Sequence, residues 1–104
     1  MVNGSETFKE IIHGDTPVLV DFYADWCGPC KMMAPVIEEF SREMGDKVRV
    51  LKVDIDRNPR AAEAYRILGV PTMILFRKGN VLWREAGVVP GHVLKQVIGP
   101  HLQA

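Results

Sequence analysis

The run Val18-Leu19-Val20-Asp21-Phe22-Tyr23-Ala24-Asp25-Trp26-Cys27-Gly28-Pro29-Cys30-Lys31 decides how the rest of the chain is read. Its first six residues are nearly all apolar, the pattern of a strand covered on both faces. A short loop with two cysteines follows. From Cys30 to Met44 the residues Met33, Ile37, Phe40 and Met44 then recur as one helical stripe. Glu38 and Arg42 stand four apart on the polar side, where they can pair. Pro35 falls inside the stripe, so a kink is expected there rather than a stop. Strand, dithiol loop and helix thus follow one another without a break.

Reading outward, Phe8, Ile11 and Ile12 fall on one face of a short helix, which Gly14 ends, with Pro17 just beyond. Downstream, 48–53 reads as a second strand. Pro59 to Leu68 reads as a short helix, with Gly69 past its end. Strands at 72–76 and 81–85 are joined across Lys78-Gly79-Asn80. Val93, Leu94, Val97, Ile98 and Leu102 give a last helix its apolar stripe. No repeat, low-complexity tract or linker interrupts this order, so residues 1–104 are expected to form a single domain. Strand–helix–strand first and a hairpin later imply an α/β fold with a central mixed sheet. Its first two strands are expected to be parallel through a right-handed crossover, with helices on both faces.

Composition narrows the function classes. The 104 residues are 47% hydrophobic and 25% charged, which excludes a disordered chain. Thirteen basic side chains balance thirteen acidic ones, so no nucleic-acid partner is expected. No apolar run approaches the ~20 residues of a membrane span. The start Met1-Val2-Asn3-Gly4-Ser5-Glu6 has neither a basic nor an apolar segment of a cleaved signal, so a cytoplasmic location is expected. A monomer is the default.

The two cysteines, Cys27 and Cys30, are too few for a disulfide-stapled scaffold, and a bond between them closes too short a loop to stabilise much. A zinc site would need a second ligand pair, which His13, His92 and His101 do not supply; no metal is expected. A pair of inert buried thiols is the other alternative. The reading favoured is a redox-active dithiol. Cys27, at a helix N-terminus, would meet free N–H groups and the positive end of the dipole, which favour a thiolate nucleophile. Cys30, in the first turn and expected to be the more buried, would resolve the mixed disulfide. Gly28 would let the loop turn closely, and Pro29 suits a first helical turn and restricts the loop.

Asp21 is unfavourable inside a strand. It is either an edge residue facing water or a buried acid with a raised pKa that takes the proton of Cys30 during resolution. Lys52 interrupts the next strand in the same way, either as a snorkelling surface lysine or as a neighbour that moderates the Asp21 charge. Pro71 is tolerated at a strand start. Alternatively, a cis bond there would press it against the dithiol and leave the Val70 backbone open to an extended substrate. Trp26 is either a partly buried aromatic or part of an exposed apolar rim. His92 and His101 read as surface residues, and the methionines as core filler.

Taken together, these residues resemble the thioredoxin family from end to end. The matching runs are 20–31 as quoted, Ala34-Pro35, Lys52-Val53-Asp54, Gly69-Val70-Pro71-Thr72, Phe76-Arg77-Lys78-Gly79 and Gly87. The resemblance implies a thioredoxin fold. It implies Cys27 as nucleophile, Cys30 as resolving thiol, Asp21 as buried acid, Lys52 as its neighbour and Pro71 as cis. It also implies a docking rim of Trp26, Gly28, Pro29, Gly69, Val70, Pro71, Ala86 and Gly87. The expected function is a protein-disulfide reductase that holds no cofactor of its own. Its implied partners are an NADPH-dependent flavoprotein, thioredoxin reductase, and targets such as ribonucleotide reductase, peroxiredoxin and methionine sulfoxide reductase. The alternatives are a disulfide oxidase or isomerase on the same fold, and a binding subunit of a larger enzyme. One departure is Tyr23, where many members carry tryptophan.

Overall fold

The structure is a computed structural model that describes residues 6–102. Residues 1–5, on which the expected lack of an export signal rests, lie outside the described residues, as do 103–104. Helix α1 (Phe8–Ile12) leads into strand β1 (Val18–Tyr23), helix α2 (Gly28–Met44) and strand β2 (Arg49–Asp54). Helix α3 (Pro59–Ala64), strands β3 (Thr72–Arg77) and β4 (Asn80–Ala86) and helix α4 (Gly91–Ile98) complete the order. The sheet order is β2-β1-β3-β4, with β1 and β2 parallel and the other pairs antiparallel, which makes the sheet mixed as expected.

Alternation along β1 distributes its side chains between two layers. Val18, Val20 and Phe22 pack with Ile11 and Ile12 of α1 and with Tyr65 just past α3. Leu19 packs on the opposite face with Met33, Ile37 and Phe40 of α2 and Leu94 and Ile98 of α4. Helices therefore cover both faces. Helix α2 runs through Pro35 without a stop. Glu38 and Arg42 form no ion pair; Glu43 of α2 instead binds Lys95 of α4, with 2.7 Å between Oε2 and Nζ.

Several boundaries differ from the sequence reading: β2 and β3 each end one residue later, at Asp54 and Arg77, β4 is longer by one residue at each end, and two further differences have a visible cause. Strand β2 begins at Arg49 rather than Val48, because a 3-10 turn at Gly45–Lys47 delays pairing until Arg49 meets Val18. Helix α3 ends at Ala64, not Leu68. Arg66 turns into the left-handed region (φ 51°), and the N–H groups of Arg66 and Ile67 close back on the carbonyls of Glu63 and Ala62. This is a Schellman closure with arginine in the place usually held by glycine. The guanidinium of Arg84, on β4, donates to the carbonyls of Tyr65 and Arg66 and holds the unusual end in place.

The β3–β4 hairpin has Lys78 and Gly79 as its two central residues, both at positive φ, the conformation of a tight hairpin whose twist matches its strands. A Cβ on Gly79 would also meet the His13 ring at 2.6 Å, so this position favours glycine twice over.

Candidate active site

The end of β1 turns sharply, with the Cys27 N–H donating to the Ala24 carbonyl at 3.2 Å. Cys27 then caps α2 in an extended conformation, Gly28 is the first helical residue, and Pro29 fits where no N–H is needed. Cys27 and Cys30 are joined in a disulfide with Cα atoms 5.3 Å apart. The Cys30 N–H donates to Cys27 Sγ at 3.1 Å, the contact that would hold a thiolate at the helix start once the bond is reduced.

Two expectations about this loop need correction. Cys30 is not the more buried cysteine: Cys27 is 3% exposed and Cys30 6%. Cys27 is covered because it packs against the loop before β3, where its Sγ lies 3.5 Å from the Val70 carbonyl oxygen. Gly28 is not needed for a close turn either. It has no positive φ, and a Cβ there would meet nothing within 4 Å.

The loop before β3 carries a cis Val70–Pro71 peptide bond. Among the described residues the Val70 N–H and C=O have no backbone partner, so the main chain of Val70 can pair with an extended chain laid beside it. Two bonds fix the loop. Thr72 Oγ1 donates to the Gly69 carbonyl at 2.6 Å, and the Gly87 N–H donates to the Pro71 carbonyl at 2.8 Å. Gly87 adopts φ 93°, a conformation that favours glycine.

The rim residues are placed unevenly. Trp26 is 69% exposed, and its indole N–H donates to Asp56 Oδ2 at 2.8 Å, which fixes the ring on the surface. Gly28, Pro29, Gly69 and Ala86 are exposed, Val70 and Gly87 half-buried, and Pro71 buried. The sequence reading missed Leu68 and Val88, which adjoin this rim in the chain and are 97% and 42% exposed. Their adjacency to Gly69 and Gly87 is the signal that points to them. It also missed Met33, whose Sδ accepts the buried N–H of Val89 at 3.3 Å and ties α2 to the loop after β4.

Asp21 lies on the α2 side of the sheet, 1% exposed, and its Oδ1 has no hydrogen-bond partner. It shares a pocket of about 160 Å³ with Cys30, Ala34, Tyr23 and Lys52. Burial pushes its pKa up to about 6, against the opposing pull of Lys52. Lys52 is directly opposite Asp21 in the β1–β2 register, yet no ion pair joins them. Its ammonium instead stands 5.1 Å from the centroid of the Tyr23 ring. Among the described residues, no three His, Cys, Asp or Glu side chains gather as a metal site, and no helix is long and apolar enough to cross a membrane.

A disulfide at a helix start, roofed by a loop with free peptide edges and floored by a buried carboxyl group, is the equipment of a dithiol–disulfide oxidoreductase on a thioredoxin fold. Comparison with known proteins makes the class specific. The thioredoxin family model matches residues 1–99. Thioredoxin 1 of Nostoc sp. is 44% identical over 97 residues, covering 92% of this chain and 91% of its own. The thioredoxin of Alicyclobacillus acidocaldarius is 46% identical over 96 residues, covering 92% and 91%. That of Rickettsia prowazekii is 51% identical over 83 residues, covering 77% and 79%. The chain belongs to the thioredoxin family.

Proposed function

We propose that residues 1–104 act as one domain that reduces protein disulfides, with Cys27 attacking and Cys30 resolving. The observation that carries this reading is the Cys27–Cys30 disulfide at the N-terminus of α2, in one pocket with Asp21 and beside the open Val70 peptide. The disulfide is the product state of the reaction. In the reduced chain the Cys27 thiolate attacks one sulfur of a target disulfide and the other leaves as a thiolate that takes up a proton. The Asp21 carboxylate then takes the Cys30 proton, directly or through water. Cys30 displaces the target's remaining sulfur from Cys27 and re-forms the intramolecular bond. Two electrons have passed to the target, which ends as a dithiol. Val70 would align an extended target segment by strand-like pairing, and the rim from Trp26 to Gly87 would hold it.

The family implies disulfide-containing targets and a reductase in general. We assign the reductase as an NADPH-dependent flavoprotein. We expect targets of the ribonucleotide reductase, peroxiredoxin and methionine sulfoxide reductase kinds, met by a monomer in the cytoplasm. The decisive experiment is trapping. Cys30→Ser should accumulate mixed disulfides on Cys27, visible as target-sized adducts on a non-reducing gel; their absence would remove the resolving role. A reduction potential near roughly −270 mV supports the reductase over an oxidase, for which roughly −120 mV is typical.

A further inference from the structure

Lys52 is the charged residue closest in register to Asp21, and it does not close on it. In a parallel pair, residues in register point to the same face, so Lys52 and Asp21 both look toward α2 and line one pocket. A lysine stem is long enough to bring its ammonium onto a carboxylate one strand away. No hydrogen bond occupies Asp21 Oδ1. The ammonium nevertheless sits over the face of Tyr23. Tyr23 is two residues beyond Asp21 on β1, hence on the same face, and it lines the same pocket. Its ring is the π surface that draws the cation to the pocket mouth.

We propose that Tyr23 is a positioning residue: its ring holds the Lys52 ammonium over itself and so keeps it from pairing with Asp21. The proposal rests on the reading of Asp21 as the proton acceptor of the resolving step. A carboxylate locked in an ion pair stays ionised and is a weak base, whereas an unpaired buried one exchanges its proton near neutral pH. The other groups facing this region are few. Asp25 and Lys31 also line the pocket, from the loop after β1 and from α2, and Glu38 and Arg42 of α2 line a neighbouring pocket with Lys52. Asp54 of β2 and Arg57 beyond it act on Tyr23, and β3 offers only Met73 opposite Asp21.

The test is a carboxyl-carbon NMR titration of Asp21 in the oxidised full chain, which does not depend on turnover. Tyr23→Leu should lower the Asp21 midpoint by about half a pH unit, the size of one exposed cation–π contact. Tyr23→Phe, which keeps the ring, should leave it in place. In a Lys52→Gln background, Tyr23→Leu should have no effect, because there is no cation to release. An unchanged or raised midpoint in Tyr23→Leu overturns the proposal. So does an equal fall without Lys52, which would mean that the ring acts by excluding water. If Tyr23→Leu does not fold, the native chain decides: the Lys52 Hε protons should be ring-current shifted upfield, and unshifted protons overturn the proposal. A failure of the Asp21 role itself would appear elsewhere, as an Asp21→Asn chain whose resolution rate keeps its pH profile.

Discussion

On one face of the sheet β1 places Val18, Val20 and Phe22; on the other it places Leu19, Asp21 and Tyr23. The first face meets only apolar and aromatic neighbours. Phe8, Phe22, Tyr65 and Phe76 contact one another edge to face, with ring centroids 5.0–6.3 Å apart. The second face has an equally apolar floor toward α4, but at the α2 start it accepts a buried carboxyl group with an unpartnered oxygen. The difference teaches how one small sheet divides its tasks. One side maximises packing, and the other gives up part of its stability to hold a buried carboxyl group in the pocket it shares with Cys30.

The sharpest way to break the comparison is Cys27→Ser. It should abolish NADPH-coupled reduction of a disulfide substrate while leaving both cores intact, so that far-UV circular dichroism is unchanged. Retained turnover would mean that the second face is not the working one. Next in size, Phe76→Ala should cost about 3–5 kcal/mol in denaturant unfolding, as expected for a buried aromatic. Its folded fraction should still alkylate at Cys27 after reduction at the native rate, since Phe76 belongs to the other face.

Asp21→Asn should act in the opposite sense. Burial raises Asp21 from the ordinary 3.8 to about 6, so the folded chain binds this proton more tightly than the unfolded one. Stability therefore falls as pH rises from about 4 to 6, and the penalty is complete above that. The asparagine variant should be more stable by about 3 kcal/mol at pH 8 and show no gain near pH 3, with slower resolution throughout the neutral range. Equal denaturation midpoints at pH 8 would show that the second face gives up nothing. The smallest effect is Met33→Leu, which keeps the volume and removes the acceptor of the Val89 N–H. It should cost about 1 kcal/mol and speed hydrogen exchange at Val89. Unchanged exchange would reduce Met33 to packing alone.

The sequence made some of this division legible. Periodicity marks β1 and the α2 stripe, and the oddity of an aspartate in an apolar strand singles out Asp21 before any geometry is known. The end of α3 was not legible, because Arg66 carries no glycine-like signal and is held by Arg84 from a distant strand. The start of β2 is set by the register with β1, not by its own apolar pattern. On residues alone the bond before Pro71 stays open, and the cis form follows from the family resemblance. Met33 reads as core because it is core; its sulfur's second role depends on a loop 56 residues away. Lys52 was legible as a neighbour of Asp21 but not as a tenant of Tyr23, since a cation's choice between a ring and a carboxylate is a matter of ångströms.

The bond from Gly87 to Pro71, and the approach of Val70 to a cysteine 43 positions away, have a consequence for the growing chain. The redox pair is local: its members stand three positions apart, so it is complete as soon as the first turn of α2 forms. The part of the proposed docking rim that runs from Gly69 to Gly87 is non-local and exists only after the last hairpin has docked on the sheet. Such distant contacts form late, because each must first overcome the entropy of closing a long loop. If the rim acts as proposed, reactivity precedes full discrimination during synthesis, and a chain halted before β4 would carry its dithiol with only the Trp26–Pro29 side of the rim in place.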